Sequence, residues 1–360
     1  MKKNTIVLTG GGTAGHVSLN QAIIPTLEKE NYDIHYIGSK DGIENEIIRD
    51  AFPRIQYHAI SSGKLRRYAS IKNFTDPIRV AKGLLQSIVI LKKVKPSVIF
   101  SKGGFVSVPV VIAGKLANIP VVIHESDVSP GLANKIAIPF AHHIFSIFPE
   151  TLKHLPKEKS TCSGSIIRSQ LFEGNKQAGL QRCGFSGFKP VIMIMGGSQG
   201  SSVINEAIRN NLSQLLLTYD VIHLCGKGKK ERSIEGTKGY KQYEYVTDEL
   251  PDLIHASDLI ISRAGSNSIF EFMALKKPML LIPLSKQKSR GDQILNANIF
   301  KKNEWALVLQ EEEVTTESLL EAISQLANQA PQLKAKMGEA EMPKTPEEMV
   351  KLILSYANKD

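Results

Sequence analysis

Ile99-Phe100-Ser101-Lys102-Gly103-Gly104 returns 161 residues downstream as Ile260-Ile261-Ser262-Arg263-Ala264-Gly265. Each copy is followed by a helical pattern, a proline (Pro120, Pro278) and a further apolar run, and the prolines stand 158 residues apart. The two copies therefore agree within a small deletion. Short apolar runs without polar alternation belong to strands covered on both faces, the mark of a parallel sheet between helices. Working outward, Thr5-Ile6-Val7-Leu8 runs into Gly10-Gly11-Gly12, and Val191 to Met195 runs into Gly196-Gly197-Ser198-Gln199-Gly200. Strand-to-glycine turns thus open both halves. Helices are expected from about Ser18 to Glu30, near Val108 to Leu116 and from about Ser202, with strands at Ile34 to Ile37, Ser97 to Phe100 and Val121 to His124.

The fold class this predicts is α/β: two Rossmann-like, doubly wound parallel-sheet domains facing an interdomain cleft. The boundaries expected are 1–163, 164–342 and a C-terminal helix over 343–360 that packs back on the first domain. Thr345-Pro346-Glu347-Glu348 marks the start of that helix, with a capping threonine, a first-turn proline and then acids. It should run to about Tyr356.

The composition closes off other classes. A chain of 360 residues is long for one core, which favours two domains. With 42% hydrophobic and 22% charged residues it is neither disordered nor fibrous. The three cysteines, Cys162, Cys183 and Cys225, form no CxxC pair, against a zinc site or a secreted disulfide scaffold. The longest uncharged apolar stretch, Phe105 to Gly114, is far short of the roughly 20 residues a spanning helix needs. The net charge is +10, of which residues 1–162 hold +9; residues 51–100 alone carry ten basic groups and one acid, Asp76. Charge gathered in one stretch favours a local anionic partner over a nucleic-acid coat.

Gly10 to Gly15 satisfies GxGxxG after a strand and before a helix, where backbone N–H groups can meet a phosphate. A nicotinamide site also wants an acid at the end of the second strand. Here that strand ends Ile37-Gly38-Ser39-Lys40, so the dinucleotide reading loses ground. A plain packing turn remains the other reading. His16 stands at the helix start, where the dipole favours neutral imidazole; proton acceptance and simple packing stand level on position alone. Gly196 to Gly200 is a second anion cradle, with the Ser198 hydroxyl and Gln199 amide added. Arg263 to Ser268 is a third, opening the helix that carries Glu271. A carboxylate there can accept from two adjacent ribose hydroxyls, or can merely serve the dipole. Two such loops in one half point to a nucleoside diphosphate. Neither a Walker lysine pattern nor Asp-x-Asp occurs, so neither ATP hydrolysis nor a metal-held diphosphate is indicated. Asp292 and Gln293 could bond sugar hydroxyls, although a capped helix start is the plainer reading from sequence.

Taken together, the chain resembles the MurG family, the UDP-N-acetylglucosamine transferases that convert lipid I to lipid II in bacterial peptidoglycan synthesis. The likeness runs through Gly11 to His16, Ser101 to Phe105, His124-Glu125-Ser126, Gly131 to Lys135, Gly196 to Gly200 and Arg263 to Glu271. Ser289 to Gln293, followed by Asn296-Ala297, is similar to the Gram-positive form. The resemblance implies the GT-B fold and a set of roles. Glu271 would hold the ribose hydroxyls and Val246 would meet uracil through its backbone. Ser198, Gln199, Ser266, Asn267 and Ser268 would contact the diphosphate or its ribose. Arg168 would help bind the donor, and Gln293 with Asp292 would read the sugar. Thr13, Ala14, Gly15 and His16 would face the reacting sugars and the acceptor diphosphate. Ala14 stands where many members have glycine, Asp127 where many have asparagine, and Asp292 where some have glutamine.

The reaction implied is an inverting, metal-independent and cofactor-free transfer from UDP-N-acetylglucosamine to the 4-hydroxyl of the lipid-linked muramyl pentapeptide. His16 is the candidate base and Asp127 the alternative. The other readings kept are a GT-B transferase with another lipid or small acceptor, a UDP-sugar epimerase, a nicotinamide oxidoreductase and a binding protein without turnover. The partners expected are UDP-N-acetylglucosamine, lipid I, an anionic membrane surface and other cell-wall synthesis proteins, and no nucleic acid. The lipid tail implies peripheral docking on the cytoplasmic face of the membrane. Lys64, Arg66, Arg67, Lys72 and Phe74, within a basic and apolar stretch over 64–85, are the expected contact.

Overall fold

Strand and helix alternate from the first described residue. The first half runs β1 (Thr5–Thr9), α1 (Gly15–Lys29), β2 (Asp33–Ser39), α2 (Ile43–Ala51), β3 (Gln56–Ile60), α3 (Lys72–Val94), β4 (Val98–Ser101), α4 (Ser107–Leu116), β5 (Val121–Glu125), α5 (Leu132–Ala137), β6 (His143–Ser146) and β7 (Ser160–Cys162). The computed structural model describes residues 4–13, 15–63, 72–197, 200–341 and 343–357, the side chains of 72–76 excepted. The second half runs α6 (Lys176–Cys183), β8 (Val191–Met195), α7 (Ser202–Asn210), α8 (Leu212–Thr218), β9 (Asp220–Leu224), β10 (Tyr240–Tyr243), α9 (Leu250–Ala256), β11 (Leu259–Ser262), α10 (Ser266–Ala274), β12 (Met279–Leu281), α11 (Asp292–Lys302), β13 (Leu307–Val308) and α12 (Thr316–Glu339), before a last helix, α13 (Pro346–Leu354).

The first sheet has the order β3-β2-β1-β4-β5-β6-β7 and the second β10-β9-β8-β11-β12-β13, with every pairing parallel. Both orders reverse direction beside the opening strand, at β1/β4 and at β8/β11. Ligands of open α/β sheets bind beyond the carboxyl ends of the strands at such a reversal. The repeated stretches quoted above are β4 and β11 with the turns that follow them, so the duplication marks the two switch points.

Two units result. One takes in the chain up to Ile166 and again from Lys344; the other is Ile167–Pro343. In the first unit the side chains of each strand divide between two cores, as a period of two requires. Ile6, Leu8, Tyr36 and Phe100 join α1 and the Met349, Val350 and Ile353 face of α13. Val7, Ile37, Ile99 and Val121 join Val110 and Val111 of α4 and Leu91 of α3. Each such buried side chain contributes about 1.5–3 kcal/mol. The return of the chain is fixed by Lys344 N–H donating to the Ser165 carbonyl at 2.8 Å and by the Thr26 hydroxyl donating to Glu347 Oε1 at 3.2 Å. Thr345 caps α13 in a reciprocal box with Glu348, a device worth about 1 kcal/mol. Among the described residues no helix is long and apolar enough to cross a membrane.

Candidate active site

In the first unit the glycine turns after β1 and β4 meet backbone to backbone. Gly11 N–H donates to the Gly103 carbonyl at 3.2 Å, and Gly104, at φ 87°, leaves no room for a Cβ against the Gly11 carbonyl. That close approach explains why both stretches need glycine.

Glu44, a first-turn residue of α2, is 1% exposed and reaches into this turn. Its Oε2 accepts from Gly12 N–H at 3.0 Å, and its Oε1 accepts from Ser39 N–H at 3.0 Å and the Ser39 hydroxyl at 2.6 Å. A Cβ on Gly11 would collide with the same carboxylate. The sequence suggested an open cradle of N–H groups; the structure fills part of it with an internal carboxylate, so the Gly12 N–H is already used.

His16 sits in the first turn of α1, half-buried, with Nδ1 2.9 Å from the Gly11 carbonyl and 3.2 Å from the Thr13 hydroxyl. A carbonyl only accepts, so Nδ1 carries the proton and Nε2 keeps its lone pair. Thr13 and Gly15 are exposed beside it, and Ala14 lies outside the described residues. Thr13, His16, Glu44, Arg79, Lys82 and Phe105 line a cavity of about 910 Å³ in this unit.

Below the turn, Lys102 is 2% exposed and donates to His124 Nδ1 at 2.8 Å and to the Ser126 hydroxyl. Burial holds the ammonium below its ordinary pKa, against the opposing pull of Glu125 and Asp127. Burial, and then the Lys102 charge, keep His124 neutral. Glu125 accepts from the N–H groups of Ser126, Asp127 and Gly131 at 2.8–3.0 Å and from the Asn134 amide at 2.8 Å. Asp127 is half-buried, and its backbone is fixed by Glu125 and by the Thr151 hydroxyl on its carbonyl, 3.1 Å.

In the second unit α10 begins at Ser266, with Gly265 as a cap that offers no side chain. Ser266, Asn267 and Ser268 therefore carry the first N–H groups of a nine-residue helix. Glu271, further along the same helix, has a side chain 13% exposed, and Arg168 donates to its Oε1 from Nη2 at 3.0 Å and from Nε at 3.2 Å. Burial pushes its carboxyl above the ordinary pKa and Arg168 pulls it back. The sequence assigned Arg168 and Glu271 separate contacts; the structure pairs them. Val246 is buried, 8% exposed as a whole residue. Gln293 is held through Oε1, which accepts from Leu284 N–H at 3.0 Å. Asp292 opens α11 without capping it and is paired with Arg290 at 2.7 Å. Ser198 and Gln199 lie outside the described residues, as do Lys64, Arg66 and Arg67 and the side chains of Lys72 and Phe74.

Residues 6–146 match the glycosyltransferase family 28 N-terminal domain, and residues 191–351 match the glycosyltransferase family 28 C-terminal domain. The chain belongs to glycosyltransferase family 28. Within family 28, a protein of Clostridium botulinum (strain Langeland, type F) is 51% identical over 356 residues, 99% of each chain. Another, from Clostridium botulinum strain Alaska E43, is 56% identical over 91% of this chain and 90% of its own. Both carry the name UDP-N-acetylglucosamine--N-acetylmuramyl-(pentapeptide) pyrophosphoryl-undecaprenol N-acetylglucosamine transferase, the MurG group that the motifs resemble. MurG of Acinetobacter baumannii has a TM-score of 0.77 at 23% identity, covering 98% of this chain and 100% of that one. A UDP-N-acetylglucosamine 2-epimerase has a TM-score of 0.66 at 15% identity, over 99% and 97%. These likenesses are of fold, and they agree with a GT-B architecture for this family 28 member.

Proposed function

We propose that the protein transfers N-acetylglucosamine from UDP-N-acetylglucosamine to the 4-hydroxyl of the lipid-linked muramyl pentapeptide, turning lipid I into lipid II for peptidoglycan synthesis. The observation that carries this reading is the 51% identity, across 99% of both chains, to an enzyme named for that reaction. The acceptor oxygen attacks the anomeric carbon from the face opposite UDP. The new C–O bond forms as the bond to the β-phosphate oxygen breaks, the electron pair leaves with UDP, and the α-linked donor becomes a β-linked product. His16 Nε2, the nitrogen left unprotonated by the Gly11 contact, takes the hydroxyl proton. Asp127 is the alternative base.

The donor belongs to the second unit. The N–H groups that open α10 meet the diphosphate, and the helix dipole favours its negative charge. Glu271 accepts from the ribose hydroxyls, Arg168 orients that carboxylate, Val246 offers its backbone to the base, and Gln293 and Asp292 read the sugar. Ser198 and Gln199 add a hydroxyl and an amide to the diphosphate site.

The acceptor's lipid brings the first unit to the cytoplasmic leaflet as a peripheral protein. Ile78, Leu85 and Val89 of α3 are 71%, 66% and 67% exposed, and Lys82 and Lys92 are exposed on the same helical face. Leu84, also in the basic stretch, packs against the core instead. An apolar stripe edged by lysines suits shallow insertion beneath anionic head groups. Lys64, Arg66, Arg67, Lys72 and Phe74 belong to the same surface in this proposal. Acceptor choice is tested with UDP-N-acetylglucosamine labelled in its sugar and offered lipid I or a diglyceride. Label should enter lipid I alone; label in the diglyceride overturns the acceptor assignment.

A further inference from the structure

Arg263 and Glu311 form an ion pair inside the second unit, 8% and 6% exposed. Arg263 leaves the end of β11, and its Nη1 donates to the carbonyls of Ile282 at 3.0 Å and Pro283 at 3.2 Å. Its Nη2 donates to Glu311 Oε1 and to the Ser201 hydroxyl at 2.6 Å. That hydroxyl also caps α7 by accepting from Ile204 N–H. The second oxygen of Glu311 accepts from Ser285 N–H at 3.2 Å and lies 3.4 Å from the half-exposed Lys288 ammonium.

The backbone from Ile282 to Ser285 is thus gripped at both ends by one pair. Between the grips lies Leu284, whose N–H donates to Gln293 Oε1 at 3.0 Å. An amide whose oxygen is taken offers its two N–H bonds elsewhere. The pair therefore determines which way Gln293 points, through two backbone links. A buried ion pair stabilises a fold poorly compared with apolar packing of the same volume. Its value here lies in order: it ties the turn before α7, the start of the α10 loop and the segment before α11 to one guanidinium.

We propose that Arg263 and Glu311 are positioning residues for the donor sugar: by fixing the Ile282–Ser285 backbone they aim the Gln293 amide and so set which sugar epimer is accepted. This rests on the donor reading of the second unit given above. Neither residue shares a hydrogen bond with Arg168 or Glu271, and a change at Glu311 alone leaves Arg263 its bonds to Ser201, Ile282 and Pro283, so UDP recognition should survive that change.

The test is Glu311→Gln, whose single amide oxygen cannot serve both Arg263 and Ser285. Affinities for UDP, UDP-N-acetylglucosamine and its C4 epimer UDP-N-acetylgalactosamine are measured by calorimetry on the folded protein. The expected result is UDP affinity within about threefold of the parent, with preference between the epimers reduced by about tenfold or more. Glu311→Asp, which keeps the charge on a shorter stem, should lose less of that preference. An unchanged preference in Glu311→Gln overturns the proposal, as does an equal loss for UDP and both sugars. If Glu311→Gln does not fold, Glu311→Asp carries the test: retained UDP affinity with weakened preference supports the proposal, and unchanged preference overturns it. A parent protein that binds no UDP overturns the donor reading itself.

Discussion

Arg168 and Glu271 are joined through a single carboxylate oxygen: Nη2 and Nε of the arginine lie 3.0 and 3.2 Å from Oε1. The other oxygen, Oε2, is the one the ribose reading needs. In the proposed donor site the arginine, its side chain 38% exposed, would hold the carboxylate from one side and orient it as an acceptor.

Glu271→Ala should weaken UDP binding while the fold persists. A hydrogen-bonded carboxylate contact contributes about 1.5–3 kcal/mol, about 10–150-fold in affinity. Calorimetry giving the parental affinity in the folded variant would remove the ribose role. The pH dependence has a definite sign. Burial raises the Glu271 pKa despite Arg168, and ribose hydroxyls donate to the charged form. Affinity should therefore fall as pH is lowered through that raised pKa, beginning above the range of an ordinary glutamate. UDP-N-acetylglucosamine is the probe, because neither of its phosphates titrates there. Glu271→Gln should flatten the profile; a flat parental profile between about pH 7 and 5 contradicts the argument.

His16→Ala should lower turnover by about 10²–10⁴-fold and leave UDP affinity unchanged. Turnover and calorimetry are read on the same preparation. If turnover barely moves and Asp127→Asn is the damaging change, the base is Asp127. If both variants stay active, neither residue is the base.

Glu44→Ala should cost stability and turnover together. It removes the acceptor of the exposed Gly12 and half-buried Ser39 N–H groups, a net loss of about 0.5–1.5 kcal/mol for each hydrogen bond. The Gly11 carbonyl that orients His16 belongs to the same turn. Thermal melting should fall by several degrees and acceptor-dependent turnover should drop, with UDP affinity retained. Parental turnover in the variant would show that the glycine turn holds itself.

Co-sedimentation with anionic liposomes should decrease with salt, and decrease again when Lys64, Arg66 and Arg67 are changed to glutamate. Basic groups near an anionic leaflet contribute about 1 kcal/mol each. Leu85→Ser with Val89→Ser should reduce the part that salt does not remove. Binding that ignores all of these changes assigns the docking to another surface.

Much of the frame is legible in the sequence because continuous apolar strands and glycine turns are local signals. β8 spans Val191–Met195 as read, and α13 starts from the Thr345 cap as read. The helix expected from Ser18 begins instead at Gly15; Ser18 bonds back to the Gly15 carbonyl at 3.2 Å and caps nothing. With no acid in its first turn, α1 gives little start signal. Asp292 was open to a capping role, yet Gly291, at φ 83°, is the cap. The long-range contacts were not legible. Glu44 lies 32 residues from Gly12, and Glu311 lies 48 from Arg263. Glu44 reads as a helix-dipole acid and Glu311 as one of three consecutive glutamates. Only the topology, which brings α2 over the β1 turn and the Glu311 side chain within reach of Arg263 at the end of β11, gives these side chains their partners.

The central claim is tested most directly by incubating the purified protein with UDP-N-acetylglucosamine and a lipid I analogue, and measuring UDP and disaccharide together. The account predicts one UDP per disaccharide, a β-linkage between the sugars and no UDP without acceptor. UDP release or donor epimerisation in the absence of acceptor, or no disaccharide in its presence, would contradict it.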